Sequence, residues 1–539
     1  MLSRKNIQKA ALWQQKGIEP IRFDYEKMLA ATWERPTWIH FGAGNIFRGY
    51  LAVLQQTLLN KGTAATGIIA VETYDHEIID KIYTPYDNLS LLVIMHKNGS
   101  LEKTVIGSVA ESLVGDETRG ADWERLQTIF TKPSLQMATF TITEKAYNLK
   151  DLHKSYLPEV EEDLKTGPEH PKSIMAKITA LVYLRYKNGK LPLALVSMDN
   201  CAHNGEKLYS AVFEIAFKWA TAGFVTKDFL PYLNNPQKIS FPQTMIDKIT
   251  PRPSESVQAQ LAKLGFKGMD SICTGKNTFI APFVNAEKTE YLVIEDKFPN
   301  GRLPLAEAGV YFTSKETVGL AEKMKVSACL NPLHTALAIF GCLLDYTMIA
   351  DEMADRDLKR LVEKLGYQEG LPAAPHPGIL NPAEFLKEVI EVRLPNPYIP
   401  DTPQRIATDT SQKLAVRFGE TIKTYLQRDD LDPQTLTYIP LTIAAWCRYL
   451  MGVDDRGEPM PLSPDPMLNF LTSTLSGIRL AHNERYDHKL KPILANKTIF
   501  GIDLYEAGLG EKIENYFHEM IIAVSGVRKT LKKYVYLEE

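Results

Sequence analysis

The chain has 539 residues, 45% of them hydrophobic and 24% charged, with a formal net charge of -3. That length exceeds what one hydrophobic core usually serves, so two or three domains are expected, and the balanced charge excludes bulk attraction to nucleic acid or to an anionic membrane. The five cysteines, Cys201, Cys273, Cys329, Cys342 and Cys447, are widely spaced and include no Cys-x-x-Cys pair, which argues against a disulfide framework or a zinc cluster; no bound metal is expected.

The N-terminal Met-Leu-Ser-Arg-Lys-Asn-Ile-Gln-Lys lacks the apolar core of a signal peptide, and the longest apolar run, Ala336 to Leu344, is far too short to span a bilayer. A soluble, cytoplasmic protein is expected. Thr37-Trp-Ile-His-Phe41 reads as a short buried strand entering Gly42-Ala-Gly44-Asn45-Ile-Phe47-Arg48. Phe47, Leu51, Leu54 and Leu58 then recur at helical spacing until Asn60-Lys-Gly62 stops the helix. Gly67-Ile-Ile-Ala-Val71 is a second buried strand, ending at Glu72.

A strand, a glycine-rich turn, a helix and a second strand form the unit that holds a dinucleotide, with the phosphates at the turn and the helix N-terminus. The fingerprint is incomplete, because Phe47 stands where a third glycine is usual. The plain alternative is a tight turn with no cofactor behind it. Glu72 and Asp75 lie near the place of a ribose-binding carboxylate and favour NAD over NADP, since they would repel a 2'-phosphate. Thr73 and Tyr74 leave that preference open.

Further along, Leu89 to Met95 and Leu101 to Val109 flank Lys97-Asn-Gly-Ser100, the signal of an antiparallel hairpin interrupting a parallel sheet. Buried strands are expected at Gln136 to Ile142 and Leu193 to Val196. They run into Thr141-Ile-Thr143-Glu144-Lys145 and Ser197-Met-Asp-Asn200. Ligands of an open α/β sheet gather at such carboxyl ends, although Asp199-Asn200, and Phe241 to Pro251 with Asp247, could equally be ordinary turns.

Beyond Pro299-Asn-Gly-Arg302-Leu-Pro304 the strand patterns give way to helical ones, including Leu333 to Ile349 and Ile439 to Leu450. The expected organisation is α/β: a Rossmann-type doubly wound domain over residues 1–309, then a mostly α-helical domain over 310–539. The second begins with Glu322-Lys-Met-Lys325-Val-Ser-Ala-Cys-Leu-Asn331-Pro-Leu-His334, which offers a base, an amide and an imidazole together, as alcohol–carbonyl redox chemistry requires. Read plainly, Glu322 and Lys325 are an ion pair on one helix face, and Asn331-Pro332 is an N-cap followed by proline at the first helical position. The two readings are compatible, because the positive end of that helix would disfavour an ammonium and favour a developing alkoxide.

At these residues the chain resembles the mannitol dehydrogenase family, the polyol-specific long-chain dehydrogenases/reductases. The resemblance runs through the 42–48 turn, Thr141-Ile-Thr-Glu-Lys145, Ser197-Met-Asp-Asn200 with Asn204-Gly205, Met245-Ile-Asp-Lys-Ile-Thr-Pro251, Ile294-Glu-Asp-Lys-Phe-Pro-Asn-Gly-Arg302 and Glu322-Lys-Met-Lys325. It implies metal-independent hydride transfer between NAD(H) and a linear sugar derivative, with D-fructuronate and D-mannonate as the expected pair and mannitol or tagaturonate as close alternatives. Gly42, Gly44, Asn45, Phe47, Arg48, Glu72, Asp75, Thr143, Glu144 and Lys145 are the expected cofactor residues.

By the same resemblance Lys325 is the general acid/base, and Asn200 and Asn331 hold the reacting oxygen. His334, Asp247 and Glu322 orient substrate or relay protons, and Arg393 and Asn396 of Arg393-Leu-Pro-Asn-Pro397 lie on the substrate side. Two positions depart from the family pattern. Asn331 follows Lys325 by six residues instead of five and precedes Pro332 instead of glycine, and Ala146 also replaces a glycine. The alternative of another class is a nucleotide-sensing protein that lost its base; Lys325 is present.

Overall fold

Every residue of the strands Trp38–Phe41, Ile68–Glu72, Met137–Phe140 and Leu193–Ser197 is buried, the mark of parallel strands covered on both faces. In this computed structural model, residues 2–151, 153–482, 486 and 488–537 are described. Along the chain come β1 (Trp38–Phe41), β2 (Ile68–Glu72), β3 (Ser90–Met95), β4 (Leu101–Ile106), β5 (Val109–Val114), β6 (Met137–Phe140), β7 (Leu193–Ser197) and β8 (Ile239–Ser240). Six of them form one parallel sheet in the order β5-β2-β1-β6-β7-β8. Counted within the sheet this is the order 3-2-1-4-5-6, whose direction reverses between β1 and β6, where a doubly wound fold opens a crevice for its ligand.

Alternation along the strands divides the core into two layers. Ile39, Phe41, Ile69 and Val71 pack with the helices Gly120–Thr131, Ile174–Lys187 and Asn204–Ala222. Trp38, Ile68 and Ala70 pack with Phe47, Leu51, Leu54 and Leu58 of the helix that follows β1. That helix ends at Lys61, with Gly62 at φ 75° closing it. The expected hairpin forms antiparallel between β3 and β4, but Val109 begins β5 and returns the chain to the parallel sheet.

The same unit also carries β9 (Thr244–Asp247), the short ribbon β10 (Ile272–Cys273) and β11 (Phe279–Ile280), then β12 (Phe283–Ala286), β13 (Tyr291–Glu295) and β14 (Tyr311–Thr313). β12 pairs with β3, and β13 lies between β9 and β14. Because β14 is laddered to β13, strand structure continues past residue 310. The compact units are Met1–Val318 and Gly319–Glu539.

The second unit is helical. Helix Asn331–Leu343 buries every residue except Asn331 and His334, and Tyr438–Tyr449 is buried throughout. The helix expected over Leu333 to Ile349 stops at Leu343, because Asp345 takes a left-handed φ of 64° and Tyr346 N–H closes back on the Gly341 carbonyl at 2.9 Å. Ile349 opens a separate helix. Among the described residues one helical run, Lys315–Leu343, is long and apolar enough to cross a bilayer, but its most apolar stretch is 83% buried inside the protein, as in a core helix.

Candidate active site

In the first unit, the turn after β1 is shaped by close approach. Gly42 has φ 106°, and a Cβ there would lie 2.1 Å from the Thr141 carbonyl oxygen, so no other residue fits. At Gly44 a Cβ would meet nothing within 4 Å, leaving room above the turn for a ligand group. The usual third glycine of a dinucleotide turn allows close packing of helix on sheet. Here Phe47 occupies that place, fully buried and stacked on His40 with ring centroids 4.4 Å apart, so only its backbone can serve a cofactor. Gly49 takes over the packing role: a Cβ on it would lie 2.8 Å from Thr250 Cγ2 and 3.1 Å from Val284 Cγ2. Pattern matching missed Gly49 because it stands two residues too late.

Arg48 points inward. Its guanidinium donates to the Ala281 carbonyl at 2.7 Å and to Asn45 Oδ1 at 2.8 Å, and it is 1% exposed. Burial pulls its pKa down, and its charge lies beneath the turn, with Nε lacking any hydrogen-bond partner.

Glu72 closes the turn from the β2 side. Oε2 accepts from Ala43 N–H at 3.0 Å, and Oε1 accepts from the N–H groups of Thr73, Tyr74 and Asp75 at 3.0, 2.9 and 3.2 Å. Asp75, also buried, accepts from Thr274 Oγ1 at 2.6 Å. Both expected ribose carboxylates therefore have protein partners and set a negative field at the end of β2; a ribose hydroxyl bonding Glu72 would compete with backbone donors.

On the other side of the crevice, Thr143, Glu144 and Lys145 follow β6 on an exposed loop. Thr143 has φ 71° and ψ 151°, a region costly for any side chain. Asp199, which the sequence offered only as part of a turn beside Asn200, fixes this loop. Its carboxylate accepts from Ile142 N–H at 3.1 Å, Thr143 N–H at 2.9 Å and the Tyr147 hydroxyl at 2.6 Å, and burial raises its pKa against the pull of those bonds. Glu144 pairs with Lys207.

Asn200 follows Asp199, exposed at the carboxyl end of β7, and Asp247 ends β9 and is buried. Buried Asn204 ties these strands together: its amide donates to the Asp199 carbonyl at 3.0 Å and to Thr244 Oγ1 at 2.8 Å, and accepts from Thr244 N–H at 3.1 Å. A Cβ on Gly205 would strike the Phe241 carbonyl oxygen at 2.6 Å, which accounts for the Asn-Gly pair.

Helix Lys315–Lys323, whose last turns open the second unit, carries Glu322 there and continues into a wide-turned segment, Met324–Cys329, that holds Lys325. Leu330 N–H donates to the Lys325 carbonyl at 3.1 Å, an i to i+5 bond. Such a turn accommodates one additional residue in a helix, and the additional residue between Lys325 and Asn331 falls here. Lys325 is 2% exposed. The expectation of an Asn331 N-cap is corrected: the cap position is Leu330, φ -130° and ψ -62°, Asn331 is already helical, and its side chain caps nothing. The wide-turned segment ends at Cys329 and the bend falls on Leu330, one residue before Asn331, so Asn331 lies past the position a capping side chain occupies.

His334 lies one turn into the helix. Burial pushes its pKa down to about 4; Asp401, with a carboxylate oxygen 3.9 Å from Nε2, acts against this, while the charges of Arg393, Arg417 and Arg405 reinforce it. The imidazole is thus neutral near pH 7, suited to hydrogen bonding and not to carrying charge. Arg393 ends the wide-turned segment Val389–Arg393 and is brought to His334 in this way. Asn396 is buried beside it, its Oδ1 accepting from Tyr398 N–H at 3.1 Å. Lys323, the neighbouring lysine, is paired with Glu420 at 3.0 Å. Asp401, Arg405 and Arg417 were not legible as site residues, since nothing in local spacing links them to residue 334.

The two units match two family profiles: the Mannitol dehydrogenase Rossmann domain over residues 36–307 and the Mannitol dehydrogenase C-terminal domain over residues 320–521. The chain is 54% identical to a D-mannonate oxidoreductase of Thermotoga maritima, across 100% of this chain and 99% of that protein. It is 28% identical to a mannitol 2-dehydrogenase of Aspergillus fumigatus, across 92% of each. Its fold superposes on the Pseudomonas fluorescens mannitol 2-dehydrogenase, a ternary complex with NAD and D-mannitol, with a TM-score of 0.69 and 24% identity, covering 100% of this chain and 99% of that one. With the parallel sheet in its 3-2-1-4-5-6 order, the glycine turn at the strand reversal and both profiles filled in sequence, the chain belongs to the mannitol dehydrogenase family of oxidoreductases.

Proposed function

We propose that this protein interconverts D-fructuronate and D-mannonate using NAD(H). The observation that carries the reading is the 54% identity, from end to end, to a D-mannonate oxidoreductase. The residues of the first unit fit the cofactor: Gly42 permits a turn no side chain could enter, Gly44 leaves open space above it, and the helix beginning behind it supplies N–H donors suited to a pyrophosphate. Glu72 and Asp75 supply negative charge at the end of β2, which disfavours a 2'-phosphate and so favours NAD over NADP.

When bound, the nicotinamide supplies or accepts the hydride. The chain's own residues manage the proton and the oxygen. In the reducing direction Lys325, as an ammonium, gives its Nζ proton to the oxygen of the former ketone; in the oxidising direction the neutral amine takes it back. Asn331 carries an amide able to hold that oxygen, and neutral His334 donates or accepts a hydrogen bond without adding charge. Asn200, Asp247, Glu322 and Asn396 keep the oxygen-holding and substrate-orienting roles that the family resemblance implies.

The test is a substrate panel: D-fructuronate, D-tagaturonate and D-fructose with NADH and NADPH, and the matching alcohols with NAD and NADP. The highest kcat/KM is expected for fructuronate with NADH. Preference for fructose would convert the reading to a mannitol 2-dehydrogenase, and preference for tagaturonate to its reductase.

A further inference from the structure

Resting on the sugar-acid reading above, one question concerns which group meets the substrate's carboxylate, the feature that separates a uronate from a neutral ketose. Three arginines bear on His334. Arg405 is paired with Asp401. Arg417 differs: its one hydrogen bond runs from Nη1 to Thr335 Oγ1 at 2.6 Å, and among the described residues no carboxylate pairs with it. Thr335 in turn donates to the Asn331 carbonyl at 2.9 Å. The guanidinium is thereby fixed on the first turn of the helix that carries Asn331 and His334, with most of its five N–H donors unengaged.

The surroundings sharpen the point. Lys413, one turn earlier in the chain, bonds only the Thr408 and Ile406 carbonyls through its ammonium. Burial lowers its pKa, the charges of Arg417 and Arg405 lower it further, and the carboxylates of Asp409 and Asp465 act against them. Burial also brings Arg417 down to about 10, with no compensating anion. Asp409 and Asp465 bear on the lysine, but burial of the arginine is offset by no carboxylate, and an anion arriving at its unengaged N–H groups relieves that cost. A planar guanidinium with free N–H pairs matches a carboxylate in two-pronged fashion.

We propose that Arg417 binds the carboxylate of the sugar-acid substrate and sets the preference for acids over neutral polyols. No bond is made or broken at this residue; it selects and orients.

The experiment compares wild type with Arg417→Leu and Arg417→Lys on D-fructuronate and on D-fructose, with NADH saturating. For Arg417→Leu the KM for fructuronate is expected to rise at least a hundredfold with kcat changed much less, while kcat/KM for fructose, however low at the start, stays level or rises. Arg417→Lys should recover part of the fructuronate KM, since it keeps the charge but loses the fork, and it keeps the test open should the leucine variant fail to fold. An unchanged fructuronate KM in the lysine and leucine variants overturns the proposal. Equal losses on both substrates overturn it too, because they would mark Arg417 as a brace for Thr335 and its helix. If the wild type prefers neutral polyols to every sugar acid, the proposal and the sugar-acid reading fall together; if it turns over sugar acids and the variants do so unimpaired, the proposal falls alone.

Discussion

Replacing Asp199 by asparagine tests whether one buried carboxylate holds the loop proposed to contact the cofactor. Asp199 accepts three hydrogen bonds, from Ile142 N–H, Thr143 N–H and the Tyr147 hydroxyl. An asparagine placed the same way retains one oxygen for Thr143 N–H but turns an NH2 toward Ile142 N–H. Tyr147 is not stranded, because its hydroxyl also lies 2.7 Å from Ser197 Oγ. The net loss is therefore about one hydrogen bond to a charged acceptor, on the order of 1.5–3 kcal/mol. Thr143 sits at φ 71° and ψ 151°, a conformation that costs roughly 1–3 kcal/mol and persists only while its surroundings enforce it.

Loss of the anchor lets this backbone relax, and Thr143, Glu144 and Lys145 move with it. If that energy is drawn from the bound state, NADH affinity falls roughly ten- to 150-fold. NADH titration by fluorescence and urea unfolding measure the two effects separately. Wild-type affinity in Asp199→Asn, with unfolding also unchanged, would refute the argument and place the restraint on the loop elsewhere.

Gly49→Ala forces a Cβ against Thr250 and Val284 and should cost about 1–3 kcal/mol, read as a lowered Tm; an unchanged Tm would mean the helix and β12 separate freely. Lys325→Ala should retain NADH binding and lose roughly 10²–10⁴-fold in turnover, and in the wild type oxidation should rise with pH while reduction falls through one shared transition that disappears in the variant. His334, held at about 4 against an unfolded value near 6.5, favours the neutral form. Its stabilising contribution is complete above pH 6.5 and is lost as pH falls toward 4, by roughly 3 kcal/mol; His334→Gln should flatten the acid side of the stability curve by a similar amount. Because proton transfer is assigned to a lysine amine, dialysis against a strong chelator should leave turnover intact, and a loss restored by a divalent ion would move catalysis to a metal.

The sequence by itself determined what local patterning encodes. The continuous apolar runs at Trp38–Phe41 and Ile68–Glu72 forced buried parallel strands, Lys97-Asn-Gly-Ser100 forced a hairpin, and Gly42 marked a turn that its φ of 106° requires. The ordered series of motifs from the glycine turn to Lys325 was enough to identify the family. Tertiary structure decided the rest, because it depends on groups distant in the chain. That Gly49 replaces the missing third glycine follows from Thr250 and Val284 lying against it, some 200 residues away. That Glu72 reaches across to Ala43 N–H of the glycine turn, and that Asp199 governs the loop after β6, depend on which strand ends the sheet order makes adjacent. Asn331 reads as a cap because asparagine before proline usually is one; the bend at Leu330, after the wide turn at Met324–Cys329, takes the cap position and leaves Asn331 inside the helix. The cation cluster around His334 is likewise assembled from segments more than 50 residues apart, and local periodicity carries no information about such meetings.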